Sequence, residues 1–148
     1  MKILNQFKMQ LTARSSNESF ARCAVASFIS QLDPTLEEIS DIKTAVSEAV
    51  TNCIVHAYPN SIGTITMKMR IFDDNSLEIT IKDGGIGIPD IEKALTPLFT
   101  TGGDDRSGMG FTIMESFTDS MKVSSKPNKG TTVTMRKRIS MRSGGRTL

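Results

Sequence analysis

The sequence has no tryptophan, one tyrosine and only two cysteines among its 148 residues. Cys23 and Cys53 both fall in apolar helical patterns and their spacing fits no metal site, so we expect two small buried hydrophobic side chains. No apolar run approaches the roughly 20 residues of a membrane span, and the N-terminus lacks the hydrophobic region of a signal peptide. The sequence therefore predicts a cytoplasmic protein without a membrane partner, in which a disulfide is disfavoured.

A large charge excess is also lacking, since the formal net charge is +2. All five charged residues after Met135 are basic, and without them 13 of the 18 basic residues remain against 16 acidic ones. The positive charge therefore belongs to the C-terminus and does not indicate direct nucleic-acid binding. We expect residues 140–148 to form a disordered, solvated basic tail, with contact to a partner or a phosphate as the alternative.

The order of apolar patterns predicts one domain over residues 1–148. The order of the elements is a strand, two helices, a hairpin, a loop with a helix and a second hairpin. This order predicts an α+β fold, a two-layer α/β sandwich with helices on one face of a mixed, mostly antiparallel sheet. A pocket would lie between the two layers. Alternation predicts strands near 7–13, 65–71, 77–83, 121–125 and 131–138, and helical periodicity predicts helices over about 16–32, 36–57 and 111–117.

Glu48, Asn52 and His56 follow one another at four-residue intervals in the second predicted helix. They form a stripe beside the apolar stripe, so they would line the rim of the core. The amide oxygen of Asn52 could complete an octahedral Mg²⁺ shell with phosphate oxygens and water. Glu48 is placed to accept the proton of an attacking hydroxyl. We interpret His56, the only histidine, as a packing or capping residue.

Asp83 ends a predicted strand and has the inward parity of its apolar residues. A buried carboxylate is costly unless donors reach it, and the exocyclic amine of adenine could donate. Gly85 and Gly87 would let the backbone turn and approach a planar base. Thr131 has inward parity on the last strand, and its hydroxyl could share a water with Asp83 and the base, although an ordinary strand position is the alternative.

A third segment places glycines before the helix predicted over 111–117. Glycines that open a helix expose unpaired N–H groups and the positive end of the helix dipole to a phosphate. Arg106 could add a charge-assisted contact to the terminal phosphate, or it could be a solvated arginine. The segment consists of Ser107, Gly108, Met109, Gly110 and Phe111.

Together these segments resemble the ATPase and kinase superfamily typified by gyrase, histidine kinases and MutL, whose nucleotide-binding fold is of the Bergerat type. Within it the chain is similar to the serine-kinase anti-sigma factors, and in particular to the anti-sigma F factors of spore-forming bacteria. The resemblance runs from about residue 7 to residue 138. Residues 48–52 match the N box, 83–87 the first glycine box, 107–111 the second glycine box, and 130–133 the closing glycine-threonine strand.

The resemblance implies a protein serine kinase that uses Mg-ATP, with Glu48 as the general base and Asn52 as the metal ligand. It also implies that residues 88–106 are an ATP lid. By this resemblance the residues that bind ATP or ADP are Asn52, Asp83, Gly85, Gly87, Thr100, Thr101, Arg106, Ser107, Gly108, Met109, Gly110, Phe111 and Thr131.

The resemblance also implies two protein partners. The chain would inhibit a sporulation sigma factor and phosphorylate a serine of an anti-anti-sigma protein, as a homodimer. Its nucleotide state would set the choice of partner through the lid. From chemistry alone Glu18 and Arg22 form an intrahelical ion pair; the resemblance implies that Arg22 contacts both partners. Two alternatives stay open: an anti-sigma kinase of the general stress response, and an ATP-binding module that sequesters a partner without catalysis.

Overall fold

The computed structural model describes residues 2–95 and 110–141. The predictions for Thr100, Thr101 and the segment 106–109 lie outside these residues. The elements in chain order are β1 (Ile3–Thr12), α1 (Ser16–Ile29), a 3₁₀ turn (Ser30–Leu32), α2 (Leu36–Asn52), a π-helical turn (Cys53–Ala57), β2 (Thr64–Phe72), β3 (Ser76–Asp83), α3 (Ile91–Ala94), α4 (Gly110–Ser116), β4 (Ser120–Lys126) and β5 (Gly130–Arg138).

The five described strands form one sheet in the order β1-β2-β3-β5-β4. The predicted α+β sandwich is confirmed, and each of the four pairings among these strands is antiparallel, where a mixed, mostly antiparallel sheet was expected. The hairpins β2-β3 and β4-β5 account for two of these pairings, and β1-β2 and β3-β5 join strands that are distant in the sequence and run in opposite directions. The register places Thr131 directly opposite Asp83.

The core lies between this sheet and the helices. Met67, Met69, Ile79 and Ile81 point inward from the central strands and are fully buried. They join one hydrophobic cluster with the apolar faces of α1 and α2 and with Met114 of α4. Burying side chains of this size contributes roughly 1.5–3 kcal/mol each, so the cluster fixes how α2 sits on the sheet.

The other face of the sheet carries no helix among the described elements and is polar. Lys8, Lys68 and Thr80 lie side by side on β1, β2 and β3. This face is one of the two alternating surfaces that period-two patterning produces in an antiparallel sheet. It lies on the opposite side of the sheet from α2.

The start of α2 is held by a capping box. The Thr35 hydroxyl accepts from the Glu38 N–H at 3.1 Å, and Glu38 Oε1 accepts from the Thr35 N–H at 2.8 Å. The Ser140 N–H also donates to Glu38 Oε2 at 2.8 Å. Burial alone would raise the pKa of Glu38, but the hydrogen bonds from Thr35 and Ser140 outweigh it and lower the pKa. Glu38 therefore ties the chain after β5 to the start of α2.

Two expectations need correction. Cys23 is exposed, so only Cys53 is a buried cysteine. Cys23 misses the core because Ala21, Val25 and Ile29 form the buried face of α1, and a residue two positions along a helix lies on nearly the opposite side. Ser140, placed in the disordered tail by the sequence, is hydrogen-bonded to Glu38.

Within residues 2–95 and 110–141 no helix is long and apolar enough to cross a membrane.

Candidate nucleotide-binding site

The end of α2 and the start of α4 meet at Glu48 and Asn52. A Cβ atom added to Gly110 would lie 3.3 Å from the side-chain amide atoms of Asn52 and 3.4 Å from Glu48 Oε2. These separations show that the first residue of α4 packs directly against both side chains. The first and third predicted segments therefore converge in space, although 58 positions separate residues 52 and 110 in the sequence.

Asp83 lies 5 % exposed at the end of β3 and is the one buried charged residue in the described chain. Its Oδ1 accepts from the Gly85 N–H at 2.9 Å and from the Thr131 N–H at 3.3 Å. Its Oδ2 accepts from the thiol of Cys53 at 3.5 Å. A thiol is a weak donor, so Oδ2 keeps the capacity to accept a stronger hydrogen bond from a ligand amine.

The side chain of Cys53 is buried in contact with Asp83. Burial raises the pKa of its thiol well above the ordinary value, and the negative charge of Asp83 raises it further. The thiol therefore stays protonated and acts as a donor. The sequence did not identify this residue as part of the site, and the available signal was its position immediately after Asn52, which turns it toward the strand that ends at Asp83.

Glycine is required where the backbone packs around Asp83. A Cβ atom on Gly85 would lie 2.2 Å from the carbonyl oxygen of Ala57, and one on Gly130 would lie 2.0 Å from the carbonyl oxygen of Asp83. Gly87 and Gly130 also have positive φ angles, of 78° and 96°. Larger residues would separate these segments. Gly85 therefore holds the turn after β3 close to Ala57, just beyond α2, and Gly87 holds the same turn close to Lys126 at the end of β4.

A pair of hydroxyl groups lies beside this turn. The Thr131 and Ser125 hydroxyl oxygens are 2.8 Å apart, and Ser125 Oγ accepts from the Ile88 N–H at 2.7 Å. Thr131 thus reaches Asp83 through its backbone N–H, while its hydroxyl contacts Ser125; the predicted shared water stays a prediction. The sequence did not identify Ser125 as part of the site. The available signal was the predicted β4-β5 hairpin, in which Ser125 lies opposite Thr131.

Tyr58 closes the outer side of the same region. Its hydroxyl accepts from the Gly84 N–H at 2.8 Å and donates to the Thr64 carbonyl at 2.8 Å. Its ring occupies the space that a side chain at Gly63 would need. Tyr58 therefore links the π-helical turn to the start of β2 and to the turn after β3. A single tyrosine directly after a motif-bearing helix was the only sequence signal.

Glu18 and Arg22 lie on α1 beside α2 rather than in this pocket. Arg22 Nε is 3.4 Å from Glu18 Oε1, and the Ser47 hydroxyl donates to the same carboxylate oxygen. The intrahelical pair expected from the sequence is therefore present and is extended to α2. Phe111, on α4, is partly buried against the core.

The described residues fit a nucleotide with magnesium. They contain no cluster of three or more His, Cys, Asp and Glu side chains able to hold a metal ion. Mg²⁺ seldom needs such a cluster, because phosphate oxygens and water supply most of its ligands. One amide oxygen from Asn52, at a helix end that meets Gly110, satisfies this requirement, and Asp83 offers an acceptor to a base amine.

Comparison with known proteins finds matches over most of the chain. A family model of the histidine kinase-like ATPase domain matches residues 11–137. An anti-sigma F factor of Caldanaerobacter subterraneus is 56 % identical over 140 residues, covering 94 % of this chain and 97 % of that protein. Anti-sigma F factors of Geobacillus kaustophilus and Clostridium acetobutylicum are each 54 % identical, covering 91 % and 93 % of this chain and 93 % and 96 % of theirs.

Solved structures show the same fold at low identity. The RsbU and RsbW domains of Rv1364c from Mycobacterium tuberculosis superpose with a TM-score of 0.68 at 18 % identity, over 97 % of this chain and 34 % of that one. The histidine kinase domain from Erythrobacter litoralis EL346 gives a TM-score of 0.55 at 20 % identity, over 82 % and 64 %. The α+β arrangement described above is therefore that of histidine kinase-like ATPases.

Proposed function

Because this chain belongs to the anti-sigma F factors, a family with a histidine kinase-like ATPase domain, we propose that it is an anti-sigma factor and a protein serine kinase. It binds and inhibits a sporulation sigma factor, and it uses Mg-ATP to phosphorylate a serine of an anti-anti-sigma protein. This phosphorylation inactivates the anti-anti-sigma protein, which is the antagonist of the anti-sigma factor. The protein acts in the cytoplasm as a homodimer.

One observation carries the catalytic part of this proposal. The side chains of Glu48 and Asn52 both lie against Gly110, at the start of the helix that follows the predicted phosphate-binding glycines. A base and a metal ligand are thereby next to the place where the phosphates of a bound nucleotide would end. A module that only bound ATP would need Asn52 and the glycines but not a carboxylate at this position.

The reaction is a direct phosphoryl transfer. The substrate serine Oγ forms a bond to the γ-phosphorus, the bond from that phosphorus to the bridging oxygen of ADP breaks, and the serine proton passes to the Glu48 carboxylate. Asn52 would ligate Mg²⁺, which supplies charge neutralisation to the phosphates. Asp83 orients the purine, so that the triphosphate extends toward Gly110 and the two catalytic side chains.

Site residues outside the described part of the chain keep their proposed roles from the resemblance. Thr100 and Thr101 belong to the lid, and Arg106, with the glycine segment 107–109, contacts the phosphates. Contacts that differ between ATP and ADP can shift an equilibrium between partners, so nucleotide state would select between sigma factor and antagonist.

The test is transfer of label from γ-labelled ATP to the purified anti-anti-sigma protein from the same organism. We expect Glu48→Gln to lower kcat by at least about 100-fold, because general-base catalysis contributes roughly 10²–10⁴-fold, with ATP affinity nearly unchanged. Glu115→Gln, the same change at an exposed position of α4, serves as the control and should leave kcat unaltered.

Two outcomes would contradict the proposal. Full labelling by Glu48→Gln would remove Glu48 from the base role. Tight ATP binding by the unaltered protein without any serine labelling would favour the non-catalytic module. Titration calorimetry on the same samples measures the affinity for ATP. It distinguishes a variant that has lost the catalytic step from one that no longer binds the nucleotide.

A further inference from the structure

The uncovered face of the sheet is basic at its centre. One row of outward side chains crosses the five described strands, each residue directly opposite the next. In the order of the sheet, this first row consists of Lys8, Lys68, Thr80, Thr134 and Lys122. Because neighbouring strands lie about 4.8 Å apart, the row spreads its positive charge over a width of about 19 Å.

The neighbouring row on the same face has a similar composition. This second row consists of Gln10, Thr66, Lys82, Thr132 and Ser124. Every side chain of the two rows is a lysine, threonine, glutamine or serine, and each can donate a hydrogen bond. Ammonium groups with hydroxyl and amide donors beside them are the groups that proteins direct at phosphate oxygens. The two rows therefore present a field of donors without a carboxylate.

The lysines of these rows lack a counter-charge in the described part of the chain. Lys8 lies directly opposite Lys68, and like charges in such a pair destabilise a sheet. No lysine of either row forms an ion pair within residues 2–95 and 110–141. Glu78, the one acidic residue at an outward position of the described strands, lies 2.7 Å from Arg136 and 4.0 Å from Arg70. The sheet therefore keeps an unfavourable group of cations that an external anion would neutralise.

The form of this face distinguishes among possible anions. Specific protein interfaces centre on buried aromatic and apolar side chains, which both rows lack. Single-stranded nucleic acids bind on aromatic stacking platforms, but Phe72, the one aromatic residue at an outward position of the described strands, is buried under the Arg136 guanidinium. No described helix lies on this face to enter the groove of a duplex. A second copy of the face would oppose cations to cations. A broad surface of phosphates held by charge alone fits best.

We propose that this face binds the surface of a membrane that contains anionic phospholipids. The lysines of the two rows approach the headgroup phosphates, and the hydroxyl and amide groups between them donate hydrogen bonds. The contact is peripheral and sensitive to salt, because no side chain of either row enters the acyl region. The sequence predicted no membrane partner because it lacks a spanning segment, but a surface contact needs none. The contact leaves α1, α2 and the candidate nucleotide-binding site uncovered, because they lie on the other side of the sheet.

The test is sedimentation of the full-length protein with vesicles. The vesicles are made of phosphatidylcholine with about 40 mol % phosphatidylglycerol, and vesicles of phosphatidylcholine alone serve as the uncharged reference. We expect binding to the anionic vesicles at about 50 mM salt and release as the salt approaches about 0.5 M. No binding to the uncharged vesicles is expected.

Matched double variants locate the contact on the protein. Each basic residue near an anionic surface raises the partition coefficient roughly fivefold, so Lys8→Gln/Lys68→Gln should lower it about 10–30-fold. Lys82→Gln/Lys122→Gln removes the same charge from the same two rows and should lower it as much. The control, Arg22→Gln/Lys43→Gln, removes two cations from α1 and α2 on the other side of the sheet and should stay within about twofold. Thermal unfolding of each variant shows that it is folded, and loss of the opposed pair Lys8 and Lys68 should hold or raise the melting temperature.

Three results would overturn the proposal. The first is no sedimentation with the anionic vesicles, or equal sedimentation with phosphatidylcholine alone. The second is an equal loss of binding in the control variant and in the variants of the two rows, which would mean that net charge alone attracts the protein. The third comes from fluorescence anisotropy with a DNA duplex of about 20 base pairs: tighter binding to the duplex than to vesicles at equal phosphate concentration would assign the face to nucleic acid.

Discussion

The thiol of Cys53 lies 3.5 Å from Oδ2 of Asp83 and is its one side-chain donor in the described chain. Because the pKa of this thiol is raised by burial and by the carboxylate itself, the proton stays on sulfur and the contact persists at neutral pH. A buried carboxylate needs donors on both oxygens, and the backbone serves only Oδ1. Cys53 therefore holds the residue that we propose to recognise adenine.

Replacing Cys53 should change purine recognition. We expect Cys53→Ala to weaken ATP binding about threefold to tenfold, since a net hydrogen bond contributes roughly 0.5–1.5 kcal/mol, and to reduce the preference for ATP over GTP. Cys53→Ser keeps a donor and should restore both. Calorimetric titration with each nucleotide measures the effect. If Cys53→Ala and Cys53→Ser bind ATP like the unaltered protein, the thiol only fills space.

The two cysteines should differ in reactivity. Cys23 is exposed and Cys53 is buried with a raised pKa, and the thiolate is the reactive form. With a chromogenic disulfide reagent near pH 8, we expect one fast equivalent from the native protein and the second only in denaturant. The variant Cys23→Ser identifies the fast thiol. A rapid reaction of Cys53 in folded Cys23→Ser would contradict the enclosed position of its thiol.

Period-two alternation made the central strands predictable. Leu77, Ile79 and Ile81 are buried as expected, and Asp83 follows with the same parity. The apolar stripe of α2 is buried too. Alternation and helical periodicity indicate which face of a strand or helix meets the core, so the predictions based on them are confirmed here.

Features set by tertiary contacts were not predictable. The chain from Cys53 to Ala57 was expected to continue as α-helix, but it forms a π-helical turn. This turn presents the Ala57 carbonyl to the Ile86 N–H at 2.9 Å. No local pattern encodes a pairing across 29 positions. The first residues of β1, from Ile3, were missed because they pair with β2 without an alternating apolar pattern of their own.

Glu38 should make stability depend on pH. Its pKa in the folded protein lies below the ordinary value of 4.5, so the unfolded chain binds more protons just below that value. The stabilisation is therefore complete above about pH 4.5 and is lost as the pH falls through the folded pKa. We expect Glu38→Gln to lower the free energy of unfolding at pH 7 by up to about 1 kcal/mol, as loss of a helix cap does.

Urea unfolding at several values from pH 3 to pH 7 checks this expectation. The difference between the unaltered protein and Glu38→Gln should shrink toward the acidic end. Glu37→Gln, an exposed neighbour in the same first turn, is the matched control and should show a smaller difference. A constant difference across the range would mean that the charge of Glu38 does not contribute and that only its shape does.

Two glycine substitutions should separate folding from catalysis. Gly130→Ala places a Cβ 2.0 Å from a backbone oxygen at a φ of 96°, so we expect a loss of at least about 1–3 kcal/mol of stability. Gly110→Ala meets only side-chain atoms, at 3.3 Å or more, and alanine favours a helix over glycine by up to about 1 kcal/mol. Its melting temperature should hold or rise, while phosphorylation slows because Asn52 and Glu48 are displaced. Thermal unfolding and labelling on the same samples test this, and a Gly110→Ala protein that is both stable and fully active would show that α4 does not press on the catalytic pair.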